Sequence, residues 1–299
     1  MTTMNVDEQQ RRWEIPGRVV FRSGHSGLPC LDISSDTSTA ELYLQGAHLT
    51  QYGHRGQPPI LFTSAQSRFQ PGQPIRGGVP IIFPWFGNKE GTVAHGLVRT
   101  APWRLIEASS ISTGEVEVRL ACDVVAHEGL PFSLVFVVTV GASLRMELIT
   151  TNRSATTAFH FEDCLHTYFT VGAIDSVRVS GLRGCQYLDK MDGFAEKTEA
   201  SDAIVIGSEV DRVYQATTST VDILDPVLKR TIRVSKAGSR STVLWNPWIA
   251  KSKQLTDFGD DEYQRMVCVE SGNVGRESVS LAAGASRTLA VEVSFLSGT

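Results

Sequence analysis

The sequence predicts an all-β protein, a sandwich or barrel of antiparallel strands, and three observations carry that prediction. Apolar and polar residues alternate with a period of two in many short runs, turn residues separate those runs, and no window shows an amphipathic helix longer than two or three turns. In an extended chain successive side chains point to opposite faces, so each run can bury one face and present the other.

The elements follow in chain order. Residues 41–44 form the first run. Val116, Val118, Leu120 and Cys122 alternate with Glu115, Glu117 and Arg119, the pattern of a half-buried strand. Residues 133–140 and 143–151 are β-rich and meet at Gly141-Ala142, which reads as a hairpin. Further strands are expected at 176–179, 220–224, 231–234, 241–244 and 266–269. In the last strand Leu289, Val291, Val293 and Phe295 alternate with Thr288, Glu292 and Ser294.

Two long segments break the pattern. Residues 62–98 contain Pro71, Pro74, Pro80 and Pro84 with Gly72, Gly77, Gly78 and Gly87, and residues 245–261 open on Trp245-Asn246-Pro247-Trp248. Loops of this length are usually functional or disordered. Their aromatic residues, among them Phe83, Trp85, Phe86 and Trp245, argue against disorder, so both are expected to rim a site.

At 299 residues, 41% hydrophobic and 20% charged, the chain has ample length for one core. We expect a single domain spanning 1–299, with the polar residues 1–12 a flexible N-terminal extension. The 28 basic and 32 acidic residues leave a formal charge of -4, which favours neither nucleic acid nor an anionic membrane as a partner. No run approaches the roughly 18 apolar residues of a membrane span, and Met1 to Arg12 lacks the apolar stretch of a signal peptide. Cys30, Cys122, Cys164, Cys185 and Cys268 are scattered and odd in number, the pattern of reduced thiols rather than disulfides or a structural zinc site. The expectation is a cytoplasmic protein.

The most informative segment is Phe159-His160-Phe161-Glu162-Asp163-Cys164-Leu165-His166-Thr167-Tyr168-Phe169. If extended, it turns His160, Glu162, Cys164, His166 and Tyr168 to one side and Phe161, Leu165 and Phe169 to the other. His166 is the first acid–base candidate, because imidazole titrates near neutrality. A lone histidine is more often a hydrogen-bonded core residue, but these companions shift the balance toward a site. Glu270 ends the apolar run 266–269 just before Ser271-Gly272, where a strand delivers a carboxylate to a sheet edge or cavity mouth, and a surface glutamate fits that pattern equally well.

Arg76 precedes Gly77-Gly78, and Arg99 follows His95-Gly96-Leu97-Val98. Each guanidinium offers a planar fork for an anion, with a solvated side chain or an internal ion pair as the alternative. His160 and His166 would lie about 20 Å apart on a regular strand, too far to share an ion. Neither a metal nor a cofactor is expected, and no phosphate-binding glycine loop is present to hold a nucleotide.

Several segments carry a resemblance. Ile75-Arg76-Gly77-Gly78-Val79-Pro80 with Phe83-Pro84-Trp85-Phe86-Gly87, His95-Gly96-Leu97-Val98-Arg99 with Trp103, Leu165-His166-Thr167-Tyr168-Phe169, Asp211-Arg212-Val213-Tyr214, Val243-Leu244-Trp245-Asn246-Pro247-Trp248 and Cys268-Val269-Glu270-Ser271-Gly272-Asn273-Val274 resemble, in that order, the hexose-6-phosphate mutarotase (glucose-6-phosphate 1-epimerase) branch of the aldose 1-epimerase superfamily. The likeness runs from about Glu41 to the C-terminus. It implies a galactose-mutarotase-like β-sandwich of two large antiparallel sheets with the sugar in a cleft on a concave face. It implies His166 and Glu270 as the catalytic pair, Asp189 as a substrate-binding carboxylate, Arg76 and Arg99 as anion contacts and His95 as a sugar contact. The branch often has Gln where Ala94 stands and Glu-Pro-Gly where this chain has Glu270-Ser271-Gly272.

The implied activity is anomer interconversion of a hexose 6-phosphate, with glucose 6-phosphate foremost. Ring opening needs a base at the C1 hydroxyl and an acid at the ring oxygen. The expectation assigns the base to ionised Glu270 and the acid to protonated His166, each charge favouring the other. A free-aldose mutarotase and a non-catalytic sugar-phosphate sensor are the alternatives. The only expected partner is the sugar phosphate, with no nucleic acid, no membrane and a monomeric chain.

Overall fold

The computed structural model describes residues 8–122 and 130–297. Two large antiparallel sheets dominate. The nine-stranded sheet runs, edge to edge, through Ala203–Ile204, Arg178–Ser180, Val221–Asp225, Arg230–Ala237, Ser286–Ser297, Leu144–Asn152, Phe132–Val140, Val116–Cys122 and Trp103–Ser110. The eight-stranded sheet runs through Ala195–Thr198, Gln186–Asp189, Val210–Tyr214, Ser241–Asn246, Met266–Asn273, Asp163–Leu165 and Ile81–Ile82, with Tyr168–Thr170 also paired to Met266–Asn273. A four-stranded sheet made from Val19–Ser23, Pro29–Ser34, Ser38–Tyr43 and His48–His54 and a small ladder of Phe159–Phe161 with Val279–Leu281 complete the β structure.

Alternation explains why these sheets pack. Leu120, Phe136 and Leu148 from the larger sheet join Leu165, Phe169, Leu244, Val267 and Val269 from the eight-stranded one in a buried cluster that extends from Val19 to Val293. Each such side chain contributes roughly 1.5–3 kcal/mol on burial. The expected hairpin is present, with Val140 opposite Leu144, and the expected strands at 116–122, 220–224, 231–234, 241–244 and 266–269 all form.

Other strands escaped the alternation. Trp103–Ser110 carries a bulge between Leu105 and Glu107, which shifts the period by one. Gln186–Asp189 and Val210–Tyr214 are short and mixed in polarity, because one of their faces borders a polar cavity. Residues 1–7 of the expected N-terminal extension lie outside the described residues. The remainder is tethered rather than loose: Glu8–Arg11 form a helical turn, and Gln10 Oε1 accepts the Leu105 N–H at 3.4 Å. Among the described residues, no helix is long and apolar enough to cross a membrane.

Candidate active site

The eight-stranded sheet positions a cavity of about 740 Å³ on the face turned away from the other large sheet. Met266–Asn273 is the strand that organises it. Asp163, Cys164 and Leu165 pair with Asn273, Gly272 and Ser271, and Tyr168, Phe169 and Thr170 pair with Cys268, Val267 and Met266. Both ladders share one register, so position 166 falls opposite position 270 in the gap between them. There the His166 N–H leaves the ladder and donates to Pro80 O at 3.0 Å.

Parity then assigns the faces. Cys164, His166 and Tyr168 share a face with Gly272, Glu270 and Cys268, and the row continues through Val243 and Trp245, then Val213 and Asp211, to Leu188. His166 Nε2 lies 3.3 Å from Glu270 Oε1, and the two side chains are 13% and 1% exposed, so the imidazole edge is the part a ligand reaches. Tyr168 stacks on His166 with ring centres 4.8 Å apart, and Trp245 meets both rings edge-on. Gly272, opposite Cys164, leaves room for the thiol to approach Glu270 Oε2 at 3.7 Å.

The two long loops close the cavity, as their composition predicts. Segment 62–98 supplies Arg76, Phe86, Gly87, Asn88, Ala94 and His95, and the segment after Trp245 supplies Lys251 and Leu255. Gly77 and Gly78 have φ of 110° and 60°, and a Cβ on Gly78 would sit 2.2 Å from Leu49 O, so only glycine lets this loop pass close enough to aim Arg76 inward. Arg76 donates through Nε to Asp257 Oδ1 and through a terminal nitrogen to Tyr168 Oη, each at 3.2 Å. Burial opposes its charge, but Tyr168 and Asp257 outweigh it and hold the guanidinium above its usual value.

Arg99 differs. Its terminal nitrogen donates to Ala94 O at 2.8 Å, and no carboxylate lies within ion-pair distance among the described residues. Burial, then the Arg76 charge, lower its pKa. Two half-buried guanidinium groups therefore face one nearby carboxylate, Asp257. That excess of positive charge suits an anion.

His95 lines the same cavity, packs edge-on against His166 with ring centres 5.8 Å apart, and accepts the Gly87 N–H on Nδ1 at 3.3 Å. Burial first, then Arg99, Lys190 and Arg76, push its pKa down to about 3. It is a neutral imidazole whose Nε2–H remains free to donate.

Asp189 requires correction. It pairs with Arg212 on the sheet face opposite the cavity row, where Lys197 binds its Oδ2 at 2.8 Å and its Oδ1 caps Met191 N. The aspartate on the cavity row of these strands is Asp211, ion-paired to Lys190 at 3.0 Å. Strand parity decides between them, and parity was hidden because neither strand alternates cleanly. Glu162 also borders the cavity and accepts the N–H groups of Phe86 and Gly275, clamping two loops together. His160 belongs to the separate small ladder, opposite Ser280, and is exposed.

The surroundings of the expected charge pair oppose both charges in the protein alone. Burial raises Glu270 well above the ordinary carboxylate value, with Lys190 partly opposing it. Burial, then His95, Arg76 and Arg99, hold His166 well below the ordinary imidazole value. Burial thus works against the charged form of both groups, and the neighbouring His95, Arg76 and Arg99 add to it at His166. His166, Glu270 and Cys268 also bring three metal-ligating atoms within 4.8 Å of one another.

Residues 29–294 match the model of the family described as Aldose 1-epimerase. The chain belongs to the aldose 1-epimerase family. A relative from Cenchrus ciliaris that bears the name "Putative glucose-6-phosphate 1-epimerase" is 37% identical over 246 residues, 79% of this chain and 75% of the relative. A relative of the same name from Salmonella typhimurium is 35% identical over 261 residues, 85% and 86% of the two chains. The crystal structure of the Salmonella typhimurium protein YeaD, described as a "putative mutarotase", superposes with a TM-score of 0.86 at 29% identity, covering 95% of each chain. The fold is the galactose-mutarotase-like sandwich. Family and fold together make this aldose 1-epimerase an anomer-interconverting enzyme of a small sugar.

Proposed function

We propose that this chain interconverts the α and β anomers of a hexose 6-phosphate, glucose 6-phosphate first among them, with Glu270 and His166 moving the protons. The observation that carries the reading is the joint presence, in one cavity, of a cross-strand His166–Glu270 contact at 3.3 Å and two half-buried arginines, of which only Arg76 has a carboxylate partner, Asp257, among the described residues. The names of the curated relatives point to the same substrate.

Glu270 takes the proton from the C1 hydroxyl while His166 gives one to the ring oxygen, so the C1–O5 bond opens to the free aldehyde. Rotation about C1–C2 presents the other face of the carbonyl, and closure reverses both transfers. This assignment needs an imidazolium, which burial opposes first and the field of His95, Arg76 and Arg99 after it. A phosphate dianion between the arginines would offset their part of that opposition, shift His166 upward, and through it favour the Glu270 carboxylate. Substrate binding would thus move the shared proton from Glu270 to His166. The hypothesis predicts that a free hexose loses in kcat as well as in KM.

The test compares anomer-exchange rates of glucose 6-phosphate, galactose 6-phosphate and free glucose by NMR, with and without protein. Faster exchange of a 6-phosphate than of glucose supports the proposal. Equal acceleration of phosphorylated and free sugars would favour a free-aldose mutarotase, and tight binding without acceleration a sensor.

A further inference from the structure

We propose that His166, Cys268 and Glu270 form an inhibitory site for a thiophilic divalent cation, with zinc as the best match. The proposal rests on the cavity being catalytic, since the ion would withdraw the imidazole and the carboxylate from proton transfer. Three observations support it. The ligating atoms of these residues all lie within 4.8 Å of one another. The register places all three on one sheet face, with His166 directly opposite Glu270 and diagonal to Cys268. His166 turns Nε2 to within 3.3 Å of Glu270 Oε1, and with its proton on Nδ1 the ring offers the Nε2 lone pair to an ion held there.

The geometry suits a tetrahedral ion. Zinc bonds of about 2.0–2.3 Å separate neighbouring ligand atoms by roughly 3.3–3.7 Å. His166 and Glu270 already stand at 3.3 Å, so only the Cys268 thiol must close in, by up to about 1.5 Å. His166 and Glu270 line the cavity while Cys268 is buried beside them, so an ion would enter past the partly exposed imidazole and keep its fourth position on the cavity side. Magnesium and calcium prefer all-oxygen shells and are not matched by this set. On binding, the S–H bond of Cys268 breaks, a sulfur–metal bond forms, and the proton leaves through the cavity.

The test uses the whole protein and cobalt(II) as a spectroscopic substitute for zinc. Wild type should develop a near-ultraviolet thiolate-to-cobalt charge-transfer band with the visible bands of a tetrahedral ion. Cys268→Ser and Cys268→Ala should lack the charge-transfer band, whereas Cys185→Ser and Cys164→Ser should keep it. In parallel, Zn²⁺ should inhibit anomer exchange by wild type, and half-inhibition should need about tenfold more Zn²⁺ or higher in the Cys268 variants. Should those variants not fold, Glu270→Gln in the cobalt titration serves instead, keeping the band with an affinity about tenfold weaker. No thiolate band in wild type, a band that survives Cys268→Ala or vanishes with Cys164, unchanged zinc sensitivity, or undiminished cobalt affinity in Glu270→Gln would each overturn the proposal. The band is read without turnover, so cobalt binding through Cys268 without anomer exchange would reject the catalytic reading alone, and exchange without the band would reject the metal site alone.

Discussion

At the scale of single residues, Glu270 and His166 are separable by substitution. Glu270→Gln keeps size and hydrogen bonding while removing basicity, and His166→Asn removes the titrating ring. Each is expected to lower the polarimetric rate of anomerisation by about 10²–10⁴-fold with the fold retained by circular dichroism. Near-wild-type rates in either would reject the assignment. The two arginines should part company. Arg99 has no carboxylate within ion-pair distance among the described residues, so Arg99→Ala should cut kcat/KM for hexose 6-phosphates far more than for free hexoses and leave thermal stability nearly unchanged. Arg76→Ala should show the same selectivity loss and also cost about 3 kcal/mol, because it strands the Asp257 carboxylate in a largely buried place. Sequence patterns made His166, Glu270, Arg76, Arg99 and His95 visible because each stands in a motif of unusual residue types. Asp211 stood in such a motif too, yet its claim over Asp189 could be settled only by knowing which strand face borders the cavity.

At the scale of elements, the site depends on two strands meeting in one register around a deliberate gap. Gly272 sits opposite Cys164, and a Cβ there would lie 2.4 Å from Asp163 O and 2.8 Å from Cys164 Cβ. Gly272→Ala should therefore push Asp163–Leu165 away from Met266–Asn273, costing about 1–3 kcal/mol and weakening catalysis by moving His166 relative to Glu270. Thermal unfolding and kcat/KM measured on the same preparation check both effects. Unchanged values would mean the ladder tolerates the methyl group and does not set the catalytic geometry. The alternation of 159–169 foretold the shared face of Cys164, His166 and Tyr168, and these three do share it. It did not foretell the break at residues 166–167, because the partner that diverts the His166 N–H, Pro80, lies in a loop far away in sequence.

For the whole molecule, the buried Asp163 links stability to pH. It accepts from Asn273 Nδ2 at 2.7 Å, the two residues facing each other across the ladder of Asp163–Leu165 with Met266–Asn273. Burial raises its pKa to about 6, against the opposing effects of Asn273 and Arg287. A carboxyl raised in the folded state contributes stability that is complete below its unfolded value near 3.8 and is lost as pH rises through about 6. The loss amounts to about 3 kcal/mol at most. Asp163→Asn does not titrate and keeps an acceptor for Asn273, so the Tm of the variant relative to wild type should be higher at pH 7.5 than at pH 4.5. A constant difference across that range would remove Asp163 from the account. The sandwich itself was legible because its central strands alternate cleanly, whereas the cavity was not, because it is assembled from five strands and two loops whose order in the sheet differs from their order in the chain.

The most direct measurement is magnetisation exchange between the α and β anomeric signals of glucose 6-phosphate at neutral pH, with wild type and with Glu270→Gln at equal concentration. The account predicts exchange far above the uncatalysed rate with wild type and a return to near that rate with the variant. Background exchange with wild type, or undiminished exchange with Glu270→Gln, would contradict it.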